Sequence, residues 1–511
     1  MSQTISRRPG REAVKQRRRA QKRAARQLRQ QQRAQGLEAS PPPALPNRKS
    51  SWSSVEEEQS GRQQAVEEQV KVFRSLLPVL LKRFAKIADP RPPKTLKHQL
   101  TAVLLHGILT FVFQMASRRE ANRRLSRPQF QENLRALFPE LDRCPHHDTL
   151  NRLLADIEVD EIETAHLELI QRLMRKKKFY RYLIDHCYPI AIDGTQKFTR
   201  SQLGAEEWLQ RQVAAGEGST TPQYYVYVLE AHLAFSNGLT LPLLSEFLSG
   251  SLDQGEASKQ DCELKAFQRL AERIKAAFPR LPILVLLDGL YPNGPIFELC
   301  RLYHHWQFMI VLQDDSLPSV WEEVDGLRPL QPQQFLKRTW GHRRQHFWWV
   351  NGIEYHFGKN ERQRQILQVV LCEEEWEEIA ADSAQVVPKR SRHAWVSSEP
   401  LSRQNVHERC NLGARHRWGI ENSFLVEKHH GYQYQHCFST DWKAMKGYHY
   451  LMRLGHLINV LAQHTAVLAN RVREWGARGL IQLLQETVAG PWLKLDCLRE
   501  LLRLPYQLRL E

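Results

Sequence analysis

Between residues 66 and about 178, apolar positions recur at helical spacing. Val70, Phe73, Leu76, Leu77, Leu80 and Leu81 fall on one face, and Leu100, Val103, Leu104, Ile108 and Phe111 on another. This predicts an all-helical segment, with a further helix opening at Asp148 as N-cap and carrying Leu153 and Leu154. The period changes at Tyr188. Residues 188–193 form a short apolar run ending in Asp193-Gly194-Thr195, which predicts a buried strand presenting Asp193 at its C-terminal end. Two more strands are predicted at 224–233 and 240–247 around Ser236-Asn237-Gly238, then a helix at 258–277 with Leu264, Phe267, Leu270 and Ile274 on one face. A strongly apolar strand at 282–287 again ends in a carboxylate and a glycine, Asp288-Gly289. A helix at about 295–304 and a strand at 307–312 follow.

Residues 313–400 read differently. Segments 344–350 and 353–357 flank Asn351-Gly352, which predicts a hairpin, and 366–371 is another strand. This is a β-rich insertion. Helical character resumes near Arg403, and Met445, Tyr448, Leu451, Leu454, Ile458 and Leu461 predict one long helix over 442–473. Two short amphipathic helices close the chain, around Leu480, Leu483 and Leu484 and around Leu498, Leu501 and Leu502. The fold class is α/β: a mixed sheet with a β-rich insertion, preceded by helices and followed by helices.

Charge sharpens this picture at the N-terminus. Lys+Arg number 73 against 56 Asp+Glu, a net +17, and residues 1–50 carry 14 cations against Glu12 and Glu38, so +12 of the total lies there. The 7–33 stretch is rich in Arg, Gln and Ala with almost no large apolar residue, and Pro41-Pro42-Pro43 follows it. A disordered basic tail attracted to phosphates is expected. Arg118, Arg119, Arg123 and Arg124 add a basic face suited to duplex DNA, or simply solvated. No uncharged run of 18 apolar residues and no secretory signal occur, so a cytoplasmic protein away from the membrane is expected. The 8 cysteines stand singly, without metal-ligand spacing, and read as free thiols.

Two strands of one sheet that each deliver an Asp place a pair of carboxylates where hard divalent cations bind. Asp193 and Asp288 are that pair, and together they resemble a ribonuclease-H-like metal site, which needs a third acid. Residues 417–428 supply one. On a helix Arg417, Glu421 and Lys428 share a face, because eleven residues make almost three turns. Arg417-x3-Glu421-x6-Lys428, with Trp418, Ile420 and Gly431-Tyr432 around it, resembles the DDE transposases of bacterial insertion sequences, in the group signed Tyr-x2-Arg-x3-Glu-x6-Lys. The chain departs from the signature at Ala414, where that group has its tyrosine. The resemblance spans roughly 185–465.

The resemblance implies a ribonuclease-H-like core in which Asp193, Asp288 and Glu421 are catalytic and hold two Mg2+ ions, with Mn2+ as a substitute. The ions would serve in-line cleavage and joining of strands at insertion-sequence ends. It implies Arg417 and Lys428 as phosphate anchors and Trp348 or Trp349 as a DNA-binding residue stacking a flipped base, alternation burying one of the two. Lys197 and His449 are further phosphate neighbours or, more plainly, surface residues, and Glu427 or Asp261 would replace Glu421 as third acid in a different helix register. Double-stranded DNA, with terminal inverted repeats and target, is the implied partner, and a homodimer associated with the bacterial nucleoid the implied assembly. The expected domains are a disordered basic tail (1–60), a helical DNA-binding domain (61–182), the first part of the core (183–312), the β-rich insertion (313–400), the last part of the core (401–475) and C-terminal helices (476–511). A nuclease that never joins strands, a catalytically idle DNA-binding protein derived from a transposase, and a basic RNA-coating protein remain as alternatives.

Overall fold

The computed structural model describes residues 11–39, 49–215, 219–250 and 262–511. In chain order the helices are α1 (Arg11–Ala34), α2 (Val55–Phe84), α3 (Leu100–Val112), α4 (Arg118–Leu125), α5 (Pro128–Leu137), α6 (His147–Asp156), α7 (Asp160–Arg175), α8 (Glu263–Ala277), α9 (Gly294–Glu298), α10 (Pro318–Leu327), α11 (Trp418–His429), α12 (Trp442–Gln463), α13 (Ala466–Ala489) and α14 (Leu495–Arg503). The strands are β1 (Tyr188–Arg200), β2 (Leu209–Ala214), β3 (Thr220–Ala234), β4 (Thr240–Phe247), β5 (Ile283–Leu287), β6 (Gln307–Val311), β7 (Phe335–Trp340), β8 (Arg343–Phe357), β9 (Gln363–Ile379) and β10 (Val386–Ser397). The chain divides into a larger unit, residues 45–287 with 415–511, and a smaller one, residues 1–44 with 288–414. Among the described residues no helix is long and apolar enough to cross a membrane.

The larger unit is organised around α12, whose side chains are buried almost continuously from Ala444 to Ala462. It packs on α2, α3, α6 and α7 and on β4. Close approach to α3 depends on Gly455, where an added Cβ would stand 2.7 Å from the Phe111 Cβ and 3.1 Å from the Val112 backbone nitrogen. The helix predicted over 442–473 is in fact two. Thr465 is extended and its side chain accepts from the Leu468 N–H at 3.4 Å, restarting the chain as α13, a break that apolar periodicity does not register. Helix α2 begins at Val55, well ahead of the apolar stripe. Ser54 accepts from the Glu57 N–H at 3.1 Å, and Glu57 accepts from the Ser53 N–H at 2.7 Å, so the polar first turns are held by capping rather than burial. At α6 the cap is His146, whose Nδ1 accepts from the Asp148 N–H at 3.2 Å, and not Asp148 itself.

In the sheet of this unit, β3 lies antiparallel to β1 on one edge and to β2 and β4 on the other, and β5 runs parallel beside β1. All five residues of β5 are buried, as befits a parallel strand covered on both faces. The β1–β5 register runs from Tyr188↔Ile283 to Ala191↔Leu286 and stops there. Contrary to expectation β1 does not end at Asp193. It continues to Arg200 because β3 is long enough to pair with it throughout, Asp193 facing Glu230 in register, with a bulge between Gln196 and Phe198. Asp193 therefore sits where β1 outruns β5. The helix predicted over 258–277 is described from Glu263, its first residues lying outside the described ones.

The smaller unit holds an antiparallel sheet in the order β6-β10-β9-β8-β7. Asn351-Gly352 does not turn a hairpin. Residues 343–357 form the single strand β8, and the register on β9 passes from Val350↔Val369 to Ile353↔Leu367, a bulge of two residues opposite one. Gly352 has φ +81° and donates to Gln368 Oε1 at 2.8 Å, while Asn351 exchanges two hydrogen bonds with the Leu401 backbone. A bulge and a tight turn ask for the same left-handed glycine, so the dipeptide alone does not distinguish them. The hairpin turn proper joins β7 to β8 through Gly341, at φ +59°.

The basic tail expected to be disordered is folded over its described part. Residues 11–34 are helical. Ala, Arg and Gln are strong helix formers, and Gly36, at φ +72°, closes the helix with the Leu37 N–H reaching back to the Gln32 carbonyl at 2.9 Å. The amide of Gln21 donates to the carbonyls of Ala380, Ala381 and Ser383 at 3.2, 3.0 and 2.9 Å, and Leu28 and Gln32 are buried.

Candidate active site

Asp193 reaches the site from β1 and Glu421 from the first turn of α11. Arg417, just ahead of that helix, lies between them. Its Nη2 is 2.7 Å from Glu421 Oε1 and its Nη1 3.5 Å from Asp193 Oδ2. The Arg417 side chain is only 7 % exposed, so this is not a solvated i, i+4 pair on a helix surface but a cation shared by two carboxylates. Asp193 Oδ1 also accepts from the Gly194 N–H at 2.9 Å. Lys428 lies on the same side of α11 and donates to Thr195 Oγ1 on β1, and burial holds its ammonium below the usual lysine range. The predicted face of Arg417, Glu421 and Lys428 is thus turned toward β1.

Behind this face lies a wholly buried polar cluster. Glu427 receives Arg453 Nη1 at 2.8 and 2.9 Å and His456 Nδ1 at 2.6 Å. Arg453 Nη2 lies 3.0 Å from Glu230 Oε2 on β3, and Glu230 also accepts from Ser245 Oγ at 2.6 Å and from the Tyr434 hydroxyl at 3.0 Å. Burial alone would raise the Glu427 carboxyl, but Arg453 and His456 hold it down at about 2. This fixes Glu427 as a structural partner and removes it as an alternative to Glu421. Asp261, the other alternative acid, lies outside the described residues. Lys197 and His449 read as surface residues in the sequence, yet both are buried. Lys197 donates to the Tyr434 carbonyl at 3.1 Å and sits 4.4 Å from that ring, its ammonium lowered by burial to about 8. The missed signal was a polar stripe inside an apolar helix: His449, Arg453 and His456 are spaced i, i+4, i+7.

Asp288 directly follows β5 and opens the second segment of the smaller unit, where its Oδ1 accepts from the Leu290 N–H at 2.9 Å. In the same unit, Trp349 is buried in β8 and Trp348 half-buried, with Arg328 4.6 Å from its ring and Phe335 5.4 Å away. Among the described residues no group of three or more His, Cys, Asp and Glu side chains is gathered for a metal ion. The two carboxylates gathered on Arg417 nevertheless fit a hard cation in kind: both are oxygen donors, both are partly exposed, and they already converge on one positive charge.

The helical segment carries a relationship of its own. Residues 81–170 match the family model described as DDE_Tnp_1-associated. The match supports a DDE-type transposase. The comparison with curated proteins gave no match. Among solved structures, the cryo-EM structure of a piggyBac transposase synaptic complex with hairpin DNA aligns at a TM-score of 0.34 and 10% identity, over 86% of this chain and 84% of that one. So low a score leaves the fold to be argued from the sheets and helices described above.

Proposed function

We propose that this protein is a DDE transposase of the insertion-sequence type, which cleaves DNA at the ends of its element and joins the freed 3′ ends to target DNA. The observation that carries the proposal is the Arg417 bridge. It gathers Asp193 and Glu421, far apart in sequence, beside Lys428, the three motif positions at and just ahead of α11 meeting the acid of β1. Asp193 and Glu421, with Asp288 as third carboxylate, would hold two Mg2+ ions or Mn2+ in their place. When bound, the ions supply an activated nucleophile and stabilise the leaving oxygen. Arg417 offers a planar fork and Lys428 a point charge to the phosphates flanking the scissile bond. Of the two tryptophans, half-buried Trp348 is the one that would stack an unpaired base, in place of Arg328 on its ring, and Trp349 belongs to the core. The protein works on inverted repeats in the bacterial nucleoid as a homodimer that pairs two ends.

The test is incubation of the purified protein with linear DNA spanning its own gene and flanks, with Mg2+ or Mn2+, and mapping of new 3′ ends. Discrete nicks and joined products that vanish in Glu421→Gln and Asp193→Ala support the transposase. Nicks without joined products leave a nuclease. Nicks that survive both substitutions, or binding without nicks, overturn the catalytic assignment.

A further inference from the structure

Helix α1 is not only folded but sided. At about 100° per residue, Gln21, Ala25, Leu28 and Gln32 make up one face, and these include the residues that are buried or bonded to the β9–β10 turn. Arg11, Lys15, Lys22, Arg26, Arg29 and Arg33 recur at intervals of four, seven, four, three and four, and Arg18 fills the gap of seven. They fall within an arc of about 80° that flanks the docked face, its centre about 90° round the helix from that face, along a helix of about 36 Å. Apart from Arg29, which is half-buried, these side chains are exposed, and the only acid in the helix is Glu12, in its first turn. Among the described residues no acid pairs with an α1 cation. Of the acids on β9, Glu374 is matched to Arg343, Glu375 to Arg390 and Glu378 to Lys389, while Glu373 and Glu377 are exposed to solvent.

We propose that this stripe is a docking surface for the phosphate backbone of duplex DNA, separate from the candidate active site and blind to sequence. A straight row of cations at regular spacing on a rigid helix suits a polyanion that is itself straight and regular. Single-stranded nucleic acid is instead held by aromatic platforms between the charges, and α1 contains no Phe, Tyr or Trp. The Schellman closure and the Gln21 contacts fix the rotation of the helix, so the stripe is presented without an ordering cost at binding. The inference rests on the proposed reading only in taking DNA as partner. It needs neither metal nor cleavage.

The experiment measures binding of the full chain, carrying Glu421→Gln and without divalent metal, to a 40-base-pair duplex of arbitrary sequence across a range of salt. Lys15→Gln/Lys22→Gln/Arg26→Gln/Arg33→Gln keeps helix formers throughout and should lower the slope of log K against log salt by about 3 to 4, near 0.9 per lost phosphate contact. Arg17→Gln/Arg23→Gln, off the stripe, should lower it by less than about 1. Equal slopes for the four-fold variant and the parent overturn the proposal, as does an equal loss per residue in the off-stripe control. Tighter binding to single-stranded RNA, lost in the same variant, would replace duplex DNA as the partner. None of these results bears on the nicking assay, so this surface and the transposase reading stand or fall separately.

Discussion

Arg453 holds Glu427 through one nitrogen, Nη1, which lies 2.8 and 2.9 Å from its two carboxylate oxygens, while Nη2 of the same guanidinium reaches Glu230. A single side chain of α12 therefore ties α11, which carries Glu421, to β3, which pairs with the strand carrying Asp193. Arg453 touches neither acid of the candidate site. It sets the rotation of α11, and with it the direction in which Glu421 and Lys428 point.

Removing one partner from this cluster leaves an uncompensated buried charge. Arg453→Met is expected to cost about 3–5 kcal/mol in a denaturant titration, whereas Arg453→Met combined with Glu230→Gln and Glu427→Gln should recover a large part of the loss. A triple variant no more stable than the single one would show that the charges matter by their shape and packing alone.

Acid should loosen the larger unit through its buried histidines, against the opposite effect of Glu163, whose carboxyl burial raises to about 7. Burial pushes His106 down to about 3 and His166 and His449 to about 4, against an ordinary 6.5. The unfolded chain thus takes up protons that the folded chain refuses, and stability present above about 6.5 is lost as pH falls toward 4. For Glu427, held at about 2 against 4.5, the loss comes lower, between these two values. Unfolding midpoints should fall between about pH 6.5 and 4.5, and the fall should be shallower in His106→Leu.

The two glycines at the α3–α12 crossing should respond differently to a methyl group. At Gly455 the new Cβ meets the Phe111 Cβ and the Val112 backbone nitrogen, neither of which can turn away, whereas at Gly107 it meets the end of the Leu451 side chain at 2.7 Å. Gly455→Ala should destabilise by about 1–3 kcal/mol and Gly107→Ala by less. Thermal melts of the two variants side by side decide it.

Arg417→Lys preserves charge but not the fork, so only one of the two carboxylates keeps its contact. DNA-end nicking is expected to fall by about 10- to 100-fold, roughly 1.4–2.8 kcal/mol, with little change in melting temperature. A variant as active as the parent would leave Arg417 a neutralising charge without a positioning part.

What could be read from the sequence follows from which forces leave a pattern in it. β4 and the 417–428 helix face were legible because burial and helical period repeat every few residues. Asn351-Gly352 was not, since a bulge and a turn make the same demand on one backbone angle. α1 escaped because low apolar content argues against a core, while a helix docked by Leu28 and one glutamine needs little core. The Glu230–Arg453–Glu427 cluster escaped because a charged residue reads as surface until its partner, distant in sequence, is known.

The central place of α12 has a consequence for how the chain is made. Its main neighbour α3 ends at Val112 and α12 begins at Trp442, so about 330 residues must be synthesised between them. At about 5–20 residues per second this leaves α3, apolar on almost every side, waiting roughly 15–65 s on the ribosome for the helix that will cover it. The core of the larger unit cannot be completed until α12 is made, and the newborn chain must be kept from aggregating until that helix has emerged.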